Sequence, residues 1–228
     1  MSNSSAYTQP TDGERTGWAI AIAWPETWCK RAGAWYDGVM RLLAVNRNGY
    51  YQVGHAAIVV FTKDQDEAHY FDMGRYHAPG GTARVRSAHT DHELALRTRL
   101  VWGADSPLPE NLPALLNELA TNKACHGDGP MHWSMVPVIC ERVHQKAQAM
   151  QQQDFITYGP FVIGGSNCSR FVNTALRAGH PPARARLSLR FPWTLSPTPL
   201  TNVHACAGYA GNGVVEPVLP AQPAFAFA

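Results

Sequence analysis

The sequence has no long hydrophobic run and little net charge. Nowhere do about 18 apolar residues follow one another, the length that a membrane-spanning helix needs. The formal net charge is +2, from 19 Lys and Arg against 17 Asp and Glu. A nucleic-acid-binding domain usually has a concentrated basic face, so we expect no nucleic-acid partner. The local cluster Arg184, Arg186 and Arg190 is expected to form a solvated or substrate-facing loop.

The first residues also lack a secretory signal. Residues 1–10 contain neither the basic region nor the apolar stretch that such signals carry. The expected location is therefore the cytoplasm, with secretion by a machine that needs no cleavable signal left open.

The cysteines lack the pairing of a disulfide framework. There are five, an odd number, and no two have CxxC spacing. Cys125, His126, Asp128 and His132 carry metal-binding atoms, but their spacing fits no zinc pattern. We therefore expect no metal and no other cofactor.

The composition is that of a globular domain. Apolar residues make up 45% of 228 residues, enough for one substantial core. The sequence has no internal repeat and no strong linker. We predict a flexible N-terminus over residues 1–15, a single domain over 16–216, and a Pro- and Ala-rich tail over 217–228.

Hydrophobic patterning predicts an α+β fold with an antiparallel sheet. The clearest signal is a hairpin of two strands, His55–Thr62 and Glu67–Tyr76, joined by a polar turn. The other predicted strands are 18–24, 83–87, 95–101 and 133–136. The predicted helices are 26–43, 108–120, 137–153 and 167–177, with extended loops after His180.

The segment Tyr158–Val172, YGPFVIGGSNCSRFV, has the features of a nucleophile motif. Cys168 begins a predicted helix, where unpaired N–H groups and the helix dipole stabilise a thiolate. Gly164 and Gly165 allow a tight turn and a close approach to substrate. Backbone N–H groups at this helix start are also suited to bind an oxyanion. The alternative is a buried, inert cysteine that follows an ordinary Gly-Gly turn.

This segment resembles the nucleophile motif of NlpC/P60 papain-like cysteine peptidases. The matching residues are Tyr158, Gly164, Gly165, Cys168, Ser169, Phe171 and Val172. Asn167 stands where the family has an acidic residue, and Arg170 stands where it has glycine. The resemblance implies a papain-like fold and a cysteine hydrolase. Arginine in place of glycine at position 170 implies that the surface facing the substrate differs from that of the family.

Two histidines are candidates for the general base. His55 opens the strong strand HAAIVVFT, whereas His204 opens a segment poor in strand formers, with Glu216 as its possible partner. We favour His55. A histidine strand that precedes the cysteine helix resembles the circularly permuted YiiX-like and LRAT-like members of the superfamily.

Asp72 is the predicted third residue of a triad. A turn centred near residue 64 places His55 opposite residues 72–73, where a carboxylate would orient the imidazole. His69 is the alternative. It lies an odd number of residues from Asp72, so the two should point to opposite faces of the strand.

The predicted reaction is acyl transfer on a peptide, amide or acyl substrate through an acyl-enzyme. A thiol acyltransferase or thioesterase acting on lipid is one alternative, and an inactive binding protein is another. A deep apolar groove would favour the lipid reaction. The substrate and the oligomeric state stay open. The predicted oxyanion- and substrate-binding residues are Tyr158, Gly165, Asn167 and Trp193.

Overall fold

The computed structural model describes residues 15–30, 46–47, 50–52, 54–63, 65–104 and 106–217. Apart from Arg15 and Pro217, the predicted flexible N-terminus and C-terminal tail lie outside these residues. The strands are β1 Gly17–Trp24, β2 Trp28–Lys30, β3 Asn46–Arg47, β4 Tyr50–Gln52, β5 His55–Thr62, β6 His69–Gly74, β7 Thr82–Ser87, β8 Met131–Val138, β9 Ile156–Thr157 and β10 Asn212–Val215. The α-helices are α1 Leu112–Thr121, α2 Cys140–Gln151, α3 Cys168–Ala178, α4 Ala183–Arg190 and α5 Pro199–Cys206.

Seven strands form one antiparallel sheet in the order β10-β8-β1-β5-β6-β7-β9. Strand β1 lies inside the sheet, paired with β5 on one side and β8 on the other. The short strands β2, β4 and β3 form a second sheet. A mixed α+β fold built on an antiparallel sheet was predicted and is confirmed.

Side chains alternate between two core layers, as the period of a strand requires. The alanines of β1 face the layer that contains α2 and α3. Their small side chains let these helices pack close to the sheet. Phe171, Val172 and Ala175 of α3 are fully buried there. The isoleucines of β1 face the opposite layer, which contains Leu115 and Leu119 of α1.

The predicted hairpin is present as β5 and β6. Ala57 pairs with Asp72 and Val60 with His69. The turn is therefore shifted by half a residue from the predicted centre. Asp72 still lies on the same side of the sheet as Tyr70 and the His55 side chain, because positions two apart share a face.

Several predicted elements are wrong. Residues 28–30 form β2 rather than the start of a helix, and the rest of the predicted helix up to residue 43 lies outside the described residues. Residues 95–101 form no strand. Pro137 lies inside β8, in the part that β10 does not pair, where its missing N–H costs little. Helix α2 begins instead at Cys140.

The loops predicted after His180 are partly helical, since α4 and α5 form there. Helix α5 starts with a capping box in which the Thr198 side chain accepts the N–H of Thr201 at 3.2 Å. Pro199 occupies the first turn, the position in which proline favours a helix. Within the described part of the chain, no helix has the length and apolar character needed to cross a membrane.

Candidate active site

Cys168 is the first residue of α3, at the end of a tightly turned loop. Gly164 has a φ of +72°, which favours glycine, and a Cβ on Gly165 would lie 2.7 Å from the Thr157 carbonyl oxygen. Asn167 caps the helix: its Oδ1 accepts the N–H of Arg170 at 2.8 Å. The predicted helix start and tight turn are therefore both present, and the close neighbour of Gly165 is the Thr157 backbone.

His55 is the first residue of β5 and lies beside Cys168. The Cys168 thiol interacts with the His55 imidazole and with the backbone N–H of Ala56, and its Sγ lies 3.8 Å from Ser169 Oγ. The Trp24 indole stacks on the imidazole with 5.8 Å between ring centroids and an interplanar angle of 18°. His55 is buried at 5% exposure, so its orientation is held by packing as well as by hydrogen bonds.

Asp72 holds the other side of the imidazole. His55 Nε2 lies 3.1 Å from Asp72 Oδ2, which leaves Nδ1 as the ring nitrogen for the thiol. His69 points to the opposite face of β6, and its ring contacts His144 with 4.6 Å between centroids. The structure thus brings Cys168, His55 and Asp72 together and leaves His69 out.

The downstream alternative is not assembled. His204 lies on α5 and is exposed, and Glu216 is exposed beyond the end of β10. In this alternative His204 would open a strand, but the capping box at Thr198 makes the segment a helix.

Three further side chains complete the site, and sequence reasoning missed them. Arg86 donates from Nε to Asp72 Oδ1 at 2.9 Å and from Nη2 to Oδ2 at 2.6 Å. Its guanidinium lies 3.4 Å from the centroid of the Tyr76 ring. Tyr70 donates its hydroxyl to Asp72 Oδ2 at 3.1 Å, and the Tyr76 hydroxyl lies 3.4 Å from both His55 Nε2 and Asp72 Oδ2. A buried aspartate requires hydrogen-bond and charge partners. The prediction of a buried Asp72 could therefore have directed a search for an arginine and tyrosines on the neighbouring strands.

These contacts shift the ionisation of the site. Burial alone would lower the pKa of His55, but its hydrogen bonds to Asp72 and Cys168 raise it to about 9. Burial would raise the pKa of Cys168, but the hydrogen bond and positive charge of His55 lower it below its usual value. The Asp72 pKa is lowered despite burial, because His55 and Arg86 both bind its carboxylate.

The other described cysteines behave in the opposite way. Burial raises the pKa of Cys125 and of Cys206 to about 12, and that of Cys140 above its ordinary value. Cys168 alone among these thiols is biased toward the thiolate, which is the nucleophilic form.

A cleft of about 670 Å³ opens beside His55. Tyr76 and the predicted substrate residue Tyr158 line it, together with the charged residues Lys123 and Asp128. Gly165 and Asn167 shape the start of α3 and are not in its lining. Trp193 is 78% exposed and lies outside this cleft. No group of three or more His, Cys, Asp or Glu side chains suited to a metal ion occurs in the described ranges.

Comparison with known proteins gives one family and one related structure. The family model described as type VI secretion system effector TseH-like matches residues 19–182. The crystal structure of the type VI secretion system effector TseH is similar with a TM-score of 0.55 and 12% sequence identity, over 89% of this chain and 94% of TseH. At this identity the likeness is one of fold. None of the curated proteins compared with the chain matches it. From the family match, the chain belongs to the TseH-like family of type VI secretion system effectors.

Proposed function

We propose that the protein is a cysteine hydrolase, an amidase or peptidase, that acts through Cys168, His55 and Asp72. One observation carries the proposal. The thiol has a pKa lowered by its interaction with an imidazole, and one nitrogen of that imidazole lies 3.1 Å from a buried carboxylate. This is the cysteine form of a catalytic triad, in which the acid orients the base that serves the nucleophile.

The reaction proceeds in two halves. The Cys168 thiolate forms a bond to the carbonyl carbon, and the oxyanion is stabilised by backbone N–H groups at the start of α3. Protonated His55 gives its proton to the leaving amine as the C–N bond breaks, leaving a thioester. Neutral His55 then takes a proton from water, which attacks the thioester and releases the acid and the thiol.

The predicted substrate-binding residues take different parts in this scheme. Tyr158 lines the cleft beside His55 and would contact the bound substrate. Gly165 lets the backbone pass close to Thr157, and Asn167 holds the helix start through its cap. Trp193 lies too far out on the surface to line this cleft, so any contact would be with a distant part of a large substrate.

The cleft carries charged side chains, which favour an amide or peptide over a lipid substrate. Charged Lys123 and Asp128 line it together with the hydroxyl-bearing Thr27 and Tyr76, whereas an acyl chain would need a deep apolar groove. The contact between Cys168 and His55 favours an active enzyme over an inactive binding protein. The chain order, with His55 before Cys168, together with the NlpC/P60 resemblance, supports a circularly permuted papain-like arrangement.

Membership of the effector family supports export by type VI secretion, so the cytoplasm is where the protein is made rather than where it acts. The test is expression in a bacterium, either in the cytoplasm or fused to a periplasmic export signal. Growth arrest in one compartment by the wild type, lost in Cys168→Ala and kept in Cys206→Ala, supports the proposal and identifies the compartment. Equal toxicity of the wild type and Cys168→Ala would refute it.

A further inference from the structure

The C-terminal part of the chain is purely basic. Between Asp154 and Glu216 there is no acidic residue, and the segment contains five arginines, at 170, 177, 184, 186 and 190. The rest of the chain carries an excess of acidic residues. Segregation of charge on this scale indicates an anionic partner, and the hydrolase chemistry does not use it.

Three of these arginines line one groove. It lies between α3 and α4, has a volume of about 920 Å³, and contains Arg177, Arg186 and Arg190 beside Leu187 and Phe191. Among the described residues, no salt bridge includes Arg177 or Arg190. Guanidinium groups in a groove bind phosphate with two parallel hydrogen bonds, so the groove is suited to a phosphate group.

Large apolar side chains protrude from the same part of the chain. Leu187 is 62% exposed, Phe191 66%, Trp193 78% and Leu195 97%. The loop that contains Trp193 and Leu195 contacts the loop before Cys168, where Ile163 is fully exposed: Ser196 Oγ donates to the Pro160 carbonyl at 3.4 Å. So many exposed apolar residues on α4 and on two contacting loops mark an interaction surface.

We propose that this surface docks the protein on an anionic phospholipid bilayer. We call it the arginine face; it consists of Arg177, Arg184, Arg186, Arg190, Leu187, Phe191, Trp193 and Leu195. The arginines bind headgroup phosphates while the apolar side chains enter the boundary between headgroups and acyl chains.

The shape and chemistry of the arginine face favour a bilayer over other anionic partners. Leu187 and Leu195 are aliphatic and cannot stack on bases, as single-stranded nucleic acid would require. The most exposed side chains protrude from a loop, and a bilayer accepts them in any arrangement, whereas a protein partner would need a matching pocket for each. The inference does not depend on the proposed hydrolase activity.

The test is flotation of the full-length protein with vesicles of phosphatidylglycerol and phosphatidylethanolamine, and with vesicles of phosphatidylcholine alone. We expect binding to the anionic vesicles only, lost in 0.5 M salt. Arg184→Gln/Arg190→Gln should weaken it roughly thirtyfold, since each basic residue near such a surface contributes about fivefold and two are removed. Lys63→Gln/Arg97→Gln removes the same charge from exposed positions elsewhere and should bind as the wild type does.

A second measurement follows the apolar contacts. Anionic vesicles that contain brominated acyl chains should quench tryptophan fluorescence in the wild type and much less in Trp193→Phe. Equal binding by Arg184→Gln/Arg190→Gln and the wild type, or binding to neither vesicle, would overturn the proposal. Tighter binding to double-stranded DNA than to anionic vesicles would replace the bilayer with a nucleic acid as the partner. Cys168 alkylation should be unchanged in every variant, which separates this surface from the active site.

Discussion

Arg86 binds both carboxylate oxygens of Asp72, and the two side chains are 2% and 0% exposed. The second oxygen of that carboxylate also faces His55. Arg86 therefore keeps Asp72 ionised and holds it in the plane that the imidazole requires. Arg86 lies on β7, two strands from the His55 strand β5 in the sheet, and is thus a candidate positioning residue that acts through Asp72.

Replacing Arg86 tests this role. Arg86→Met should destabilise the fold by about 3–5 kcal/mol, because Asp72 is left buried without its counter-charge. Arg86→Lys keeps a charge but loses the two-point contact, so we expect intermediate stability. The pKa of Asp72, measured by NMR titration, should rise in Arg86→Lys, because the two-point contact that helps to lower it is weakened. Arg84→Lys, which alters the partly exposed pair with Asp91, should leave the Asp72 pKa unchanged.

Asp72→Asn should affect both stability and activity. Asparagine fits the site but cannot neutralise Arg86, so about 3–5 kcal/mol of unfolding free energy should be lost. Where the protein still folds, the hydrolytic rate should drop roughly a thousandfold or more, because the imidazole loses its orienting acceptor. Urea unfolding and growth arrest measure the two effects. His69→Ala is the control and should stay active; a fully active Asp72→Asn beside an inactive His69→Ala would mean that His69 orients the base.

The ionisation of Cys168 and His55 predicts a pH window. As pH falls, the reactive thiolate is lost only below the lowered pKa of Cys168, so iodoacetamide should label Cys168 at pH 6.5. As pH rises through about 9, His55 loses the proton that it gives to the leaving group, so hydrolysis should decline there. Mass spectrometry of digests identifies the labelled thiol. Faster labelling of Cys125, Cys140 or Cys206 in the folded protein would show that the nucleophile is wrongly assigned.

The two histidine variants decide which base serves the thiol. His55→Ala should return the Cys168 pKa toward its ordinary value and slow alkylation at pH 6.5 by roughly tenfold for each pH unit regained. His204→Ala should have no effect, because His204 lies exposed on α5. Loss of reactivity only in His204→Ala would restore the unpermuted order.

Gly127 supports the site from behind the Trp24 ring. A Cβ at this position would lie 2.2 Å from the indole, which stacks on His55. Gly127→Ala should therefore displace the indole from its stacked position on the imidazole, cost about 1–3 kcal/mol and slow Cys168 alkylation. Gly80→Ala meets no atom within 4 Å and should match the wild type in both measurements.

The sequence by itself determined the local features of this protein. The alternation in β1, the hairpin of β5 and β6, and the helix that begins at Cys168 all follow from patterns within about twenty residues. Such patterns were enough to choose His55 and Asp72, because a two-strand hairpin has few possible registers. The predictions failed where a local signal was missed: Thr198 caps helix α5, in a segment that was predicted to be an extended loop.

Only the tertiary structure decided what surrounds those residues. Arg86 comes from β7 and Trp24 from β1, and their meeting at Asp72 and His55 depends on which strands become neighbours in the sheet. The lining of the cleft depends in the same way on the tertiary structure, because residues from the segment 123–128 lie beside His55 there. The physical reason is that a buried carboxylate and a buried imidazole need charged and aromatic neighbours, which come from whichever strands pack beside them. The spacing of residues along the chain does not encode which strands become neighbours.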